Sequence, residues 1–156
     1  IKIPVIAAGG IFDGKDIAKF IRLGASGVQM GTRFVATDEC DADEVFKQAY
    51  IKAVKEDIMI IKSPVGMPGR AIRNNFLTQA EKGEVKFRCH YLCLKTCKPK
   101  QSPYCIADSL TNAAMGNLDE GFAFAGSNVA KVDKIVPVKT LIDELVKEAE
   151  EELSKV

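Results

Sequence analysis

The sequence predicts an α/β chain organised around a parallel βαβ unit, and three observations carry that prediction. Ile3 to Ala7 is an unbroken apolar run, the pattern of a strand covered on both faces of a parallel sheet. Gly9-Gly10 follows at once, and the same order of short apolar strand and glycine returns at Val28–Met30 and Gly31-Thr32. One helix separates them, so strand, loop, helix and strand fit into about thirty residues, the size of a parallel crossover.

Gly9 and Gly10 remove side chains where the chain turns, which lets backbone N–H groups approach an anion. Asp13 is placed to cap the following helix, whose apolar face is Ile17, Phe20 and Ile21, and Gly24 marks its end. Ligands of parallel sheets bind at the carboxyl ends of strands, and in an eight-stranded βα barrel a frequent phosphate site lies after the seventh and eighth. The competing reading gives the glycines only tight turns and close packing. Their repetition one helix apart favours the phosphate site.

Further along, Asp41 with Glu44 is expected to cap a helix whose apolar face is Val45, Phe46, Ala49 and Ala53. Ile58–Ile61 reads as a strand. Ser63-Pro-Val-Gly-Met-Pro-Gly-Arg70 holds two prolines and two glycines, which predicts an irregular shaped loop, with Arg70 paired to a carboxylate or facing a site. Ala71 to Lys82 reads as a helix stopping at Gly83. Ile106, Leu110, Ala113 and Ala114 predict a short helix, a cap ending at Gly116, and Gly121 to Asn128 turns back on small residues. From Val138, the positions Leu141, Ile142, Leu145, Val146, Ala149 and Leu153 keep a helical period, with Glu148, Glu150, Glu151 and Glu152 read as its solvated face.

Cys89, Cys93, Cys97 and Cys105 fall in one short segment beside His90. Thiolates and imidazole are ligands for zinc or an iron–sulfur cluster. The spacing has no C-x2-C pair, and on a helix Cys89, Cys93 and Cys97 would form one stripe. Reduced thiols packed as small hydrophobes is the reading this spacing favours, with metal ligation second and disulfides third.

Lys plus Arg number 22 against 21 for Asp plus Glu, a formal charge of +1 that leaves no basic footprint for nucleic acid or an anionic membrane. Trp is absent and the Tyr and Phe residues are scattered, so no base-stacking surface is implied. No apolar run approaches the ~20 residues of a membrane span, and a cytoplasmic location is the default expectation.

Ile3-Pro-Val-Ile-Ala-Ala-Gly-Gly-Ile11 with Asp13-Gly14, Leu23-Gly24-Ala25, and Gly27-Val-Gln-Met-Gly-Thr-Arg-Phe34 followed by Thr37 and Glu39-Cys40 resembles the FMN-dependent nitronate monooxygenases, also called 2-nitropropane dioxygenases. The flavin-dependent enoyl-acyl carrier protein reductases are close to them. The resemblance continues through Ser63 to Ala71 and Gly126-Ser-Asn128, and so covers nearly the whole chain. It implies the C-terminal part of a TIM (βα)8 barrel, its last two strands, with a mostly helical C-terminal extension. Residues 1–62 would be the final βα units, 63–132 the active-site loop, cysteine-rich insert and helical cap, and 133–156 the C-terminal helix.

Carried over by position, Ala8, Gly9 and Gly10 would lie at the FMN phosphate after the seventh barrel strand. Gln29, Met30, Gly31 and Thr32 would lie at the end of the eighth. The family's active-site histidine belongs to a glycine-rich segment upstream of the seventh strand, outside this sequence, so the catalytic residue is left unassigned and His90 is not given the role. A barrel typically needs ~250 residues. The expectation is therefore a C-terminal half whose partner is the N-terminal half of the barrel, with open strand edges and self-association when made alone. A small-molecule substrate is implied, and a homodimer is left open.

The implied chemistry is oxidation of an alkyl nitronate, with oxygen, to a carbonyl compound and nitrite. The near alternative is reduction of an enoyl thioester with a nicotinamide cofactor and FMN. An alternative of another class is a catalytically silent module that binds a phosphate ligand or metal and depends on a partner.

Overall fold

The computed structural model describes residues 2–90 and 93–155. β1 (Ile6–Ala8) and β2 (Gly27–Gln29) pair in parallel, Ile6 opposite Gly27 and Ala8 opposite Gln29, with α1 (Gly14–Arg22) between them in sequence. This is the expected βαβ unit. Asp13 Oδ1 accepts from the Asp16 N–H at 2.9 Å and caps α1. At the other end Gly24 adopts φ 94°, and its N–H donates to Ile21 O at 2.9 Å while that of Ala25 donates to Phe20 O at 3.0 Å. Those two bonds satisfy carbonyls that the last helical turn leaves free.

The apolar run before Gly9 is not buried as its composition suggests. Ile3 is 71% exposed and Ile6 56% exposed. β1 has one sheet neighbour among the described residues, β2, and no described element covers the Ile3, Val5 and Ile6 side chains.

After β2 come α2 (Thr32–Val35) and α3 (Glu44–Lys52). The cap of α3 is Asp43, whose carboxylate accepts from the Val45 N–H at 2.8 Å, and not the expected Asp41. β3 (Ile58–Lys62) and β4 (Pro68–Ile72) then form an antiparallel hairpin in the register Ile58 to Ile72 and Lys62 to Pro68. The irregular segment is therefore shorter than expected, residues 63–67, and the predicted helix begins only at α4 (Asn75–Glu81), capped by Asn74. Proline is tolerated at the first position of a strand, and glycine in a strand marks a close backbone approach. A Cβ on Gly69 would stand 2.4 Å from the Phe124 ring, so only glycine leaves that ring its place.

Residues 123–125 run along β4: the Ile72 N–H donates to Ala123 O and the Ala125 N–H to Arg70 O, each at 3.0 Å. Beneath them sits an aromatic core. Phe122, fully buried, meets Tyr104 edge-on at 5.5 Å between centroids and stacks on Phe76 at 6.2 Å. α5 (Ile106–Ala114) follows Tyr104 and ends before Gly116.

The C-terminal helix α6 (Val138–Leu153) buries Leu141, Leu145 and Ala149 and packs on α1. Contact is close enough that a Cβ on Gly14 would lie 2.3 Å from Glu148 Cβ. The acidic side of α6 is only partly a wet face: Glu148 Oε2 accepts from the Gly14 N–H at 2.9 Å, and Glu152 pairs with Arg22 at 3.8 Å. Among the described residues no helix is long and apolar enough to cross a membrane.

Candidate functional site

Because β1 and β2 are parallel and in register at Ala8 and Gln29, the segments leaving them emerge on the same side. Gly9-Gly10 and Met30-Gly31-Thr32 are therefore neighbours, as the sequence predicts. A third segment joins them. The Gly126 N–H donates to Thr32 Oγ1 at 2.8 Å, and Asn128 Nδ2 donates to Gly10 O at 2.9 Å. The segment expected to turn back on small residues, Gly121 to Asn128, is thereby tied to both strand-end turns.

The cradle so formed is open in front of its glycines. A Cβ built at Gly9, Gly10 or Gly31 meets nothing within 4 Å. Gly9 and Gly10 hold φ 86° and 73°, backbone conformations that expose amide groups and that side chains disfavour. Thr32 Oγ1 accepts one hydrogen bond and keeps its own proton to donate. None of Ala8, Gly9, Gly10, Gln29, Met30, Gly31, Thr32 and Asn128 has an ionisable side chain, so the donors the cradle offers are neutral.

Positive charge stands close by. The Arg33 guanidinium lies 4.6 Å from the centroid of the Phe12 ring, and Lys131 Nζ 5.4 Å from the same centroid. Arg33 also donates to Phe12 O at 3.3 Å and lies 3.8 Å from Glu144, which fixes the chain just after Gly10. Open glycines, a hydroxyl donor and flanking cations suit the phosphate of a flavin mononucleotide, so the fit of these residues to FMN is good.

The β3–β4 hairpin reaches this site indirectly, through residues 123–125 and then Gly126. Tyr50 reinforces that route, its hydroxyl donating to Phe124 O, and burial raises its pKa far above the ordinary phenol range. A cavity of about 900 Å³ lies elsewhere, between β3, α4 and residues 96–104, and shares no residue with the cradle. His90 is exposed and lies in the insert.

Cys89, Cys93, Cys97 and Cys105 do not form a helical stripe, because none of the described residues from 84 to 98 is helical. They line one cavity of about 60 Å³. Among the described residues no group of three His, Cys, Asp or Glu side chains stands placed to hold a single metal ion. Burial pushes the Cys105 thiol pKa up.

Residues 1–148 match the family model described as nitronate monooxygenase. The chain is 43% identical over 77 residues to a probable nitronate monooxygenase of Staphylococcus saprophyticus, an overlap of 49% of this chain and 22% of that protein. It is 42% identical over 84 residues to a probable nitronate monooxygenase of Staphylococcus aureus, 54% of this chain and 24% of that one. In three dimensions it is similar to FabK from Thermotoga maritima, at TM-score 0.80 and 35% identity over 99% of this chain and 47% of FabK. It is also similar to a nitroalkane oxidase from Streptomyces ansochromogenes, at TM-score 0.73 and 25% identity over 100% of this chain and 42% of the oxidase. The chain thus spans less than half the length of these solved proteins, and its matches to the curated relatives span about a quarter of theirs.

Proposed function

The chain belongs to the nitronate monooxygenase family, and from that premise we propose that it forms the FMN-phosphate-binding part of a cytoplasmic oxidoreductase that oxidises alkyl nitronates. The observation that carries this reading is the pair of hydrogen bonds, Gly126 to Thr32 and Asn128 to Gly10, that draws three glycine-bearing segments into one anion cradle. The βαβ unit supplying two of them is read as the last two strands of a (βα)8 barrel.

In this reading the backbone amides at Gly9, Gly10 and Gly31 and the Thr32 hydroxyl bind the phosphate. Ala8, Gln29 and Met30, at the strand ends, border the same ligand. Asn128 keeps the Gly10 turn in place, and Arg33 and Lys131 add a positive field. When bound, FMN supplies the electron-accepting ring needed to turn a nitronate and oxygen into a carbonyl compound and nitrite. The contribution of these residues is to anchor and orient. No residue of the chain is assigned as acid, base or nucleophile.

A second reading, kept open by the likeness to FabK, is a flavin-dependent reductase of enoyl thioesters. The experiment that tests the proposal gives the native gene product an alkyl nitronate with oxygen and, separately, an enoyl thioester with a nicotinamide cofactor. Nitrite release is expected from the first. Nicotinamide oxidation dependent on the thioester, without nitrite, would favour the second. Neither activity would leave the silent module.

A further inference from the structure

We propose that the free edge of β3 docks an acidic peptide in extended form, as an added strand, at a site that shares no residue with the flavin cradle. The other edge of β4 is occupied: its Ile72 N–H donates to Ala123 O, and its Arg70 O accepts from the Ala125 N–H. In an antiparallel ladder the N–H and C=O of one residue point to the same side, so those of Arg70 and Ile72 point away from β3. Their partners Ile60 and Ile58 are therefore the non-hydrogen-bonded positions of β3, and Lys62, opposite a proline with no N–H to give, is the next. The backbone groups of Ile60 and Lys62 face outward, and no other described residue bonds to them. Ile60 is 60% exposed.

An open strand edge is ordinarily a liability that proteins shorten, charge or cover. Lys62 alone would serve as such a guard, but this edge also borders a built cavity. The space of about 900 Å³ is bounded by Ile60 and Lys62 of β3, by Leu77 and Ala80 of α4, and by Lys98 and Lys100. Three ammonium groups line it against one carboxylate, that of Glu81. Among the described residues none of the three is in an ion pair or a hydrogen bond. Tyr104, 2% exposed, lines the same cavity, and its hydroxyl has no hydrogen-bond partner among the described residues.

These features together select the occupant. Outward donors and acceptors at alternate residues of a strand match the backbone of a second extended chain, and a simple anion has nothing to set against them. The buried Leu77 and Ala80 offer apolar surface to the side chains on one face of such a chain. Lys62, Lys98 and Lys100 favour carboxylate side chains over ammonium ones, and charge complementarity of this kind fixes partner and register. A carbonyl or carboxylate reaching Tyr104 would give its hydroxyl the acceptor it lacks.

The test is fluorescence anisotropy of the native gene product with a labelled, end-capped hexapeptide of alternating valine and glutamate, flavin content being measured in parallel. Saturable binding is expected, weakened by salt and absent for the valine–lysine counterpart. Ile60→Pro removes only an outward N–H, a change that edge strands tolerate, and about tenfold weaker binding at unchanged flavin content is expected. Lys98→Glu combined with Lys100→Glu, both exposed, should abolish binding, and this variant decides the matter if Ile60→Pro does not fold. Peptide binding by a flavin-free preparation would still support the strand edge while counting against the FMN reading. No binding by the wild type, equal binding of the lysine peptide, full competition by inorganic phosphate at constant ionic strength, or undiminished binding in the double lysine variant would overturn the proposal. So would a wild-type dimer that Ile60→Pro dissociates, since a second copy of the chain would then be the occupant.

Discussion

Thr32 and Gly126, 94 positions apart, are joined by a 2.8 Å hydrogen bond from the Gly126 N–H to Thr32 Oγ1. The residue that ends the second strand motif is thus tied to the strip of chain that runs beside β4. A Cβ on Gly126 would lie 2.9 Å from the same oxygen, so the approach depends on a glycine.

Thr32→Val keeps the shape of this side chain and removes the acceptor. It leaves the half-buried Gly126 N–H without its partner, and a loss of about 1–2 kcal/mol in stability is expected. Flavin affinity should fall as well, whereas Thr32→Ser should keep both. Denaturant titration and flavin titration of the three proteins check this, and identical Val and Thr proteins would contradict it.

Gly14→Ala ought to stabilise an exposed helix start. Here the new Cβ would meet Glu148 Cβ at 2.3 Å and Ala149 N at 2.4 Å, backbone and near-backbone atoms that cannot rotate away. A net loss of about 1–3 kcal/mol is expected from forcing α1 and α6 apart. A melting temperature at or above wild type would show that the two helices separate freely.

Tyr104 is 2% exposed, and its hydroxyl has no hydrogen-bond partner among the described residues. Tyr104→Phe should therefore be neutral or stabilising, by up to about 1 kcal/mol. Burial pushes the Tyr104 pKa from 10.0 up to about 12, so the folded state holds a proton that the unfolded state releases first. The stability linked to that proton is complete below pH 10 and is lost as pH rises through about 12. Stability measured across that interval should decline less steeply in Tyr104→Phe, the buried Tyr50 and Cys105 contributing to what decline remains. Equal slopes would argue against a buried, unpaired phenol.

Residues 1–156 produced alone should self-associate, since Ile3, Val5 and Ile6 present an exposed apolar strand with an unpaired edge. Sedimentation checks this. A soluble, sharply melting monomer would contradict it.

The βαβ unit was legible because its signals are local: an apolar run, paired glycines, Asp13 at the cap and Gly24 at the stop. The same pattern led to the glycine turns after β1 and β2, which the parallel pairing sets side by side. What escaped was set by distant contacts. Pro68-Gly69 reads as a turn, yet it opens a strand because the two residues pair with Lys62 and Ile61 of β3. Glu148 reads as solvated until Gly14, 134 positions away, supplies its hydrogen-bond donor. Periodicity identifies β1 as a strand with both faces apolar, but periodicity does not say which elements cover it. Gly126-Ser-Asn128 carried part of the family resemblance, but the contact of Asn128 with the Gly10 carbonyl, 118 positions away, has no local signal.

The central claim is that the glycines after β1 and β2 hold the phosphate of FMN, and flavin binding by Gly31→Asp tests it most directly. Nothing lies within 4 Å of a Cβ at Gly31, so the substitution leaves packing alone while setting a carboxylate against the phosphate. Like charges in contact cost several kcal/mol, on the order of a 100-fold or greater loss of affinity. The native gene product should purify with FMN and the variant without it, at unchanged helix content and melting temperature of the apoproteins. A wild type devoid of FMN, or a folded variant that retains it in full, would contradict the cradle.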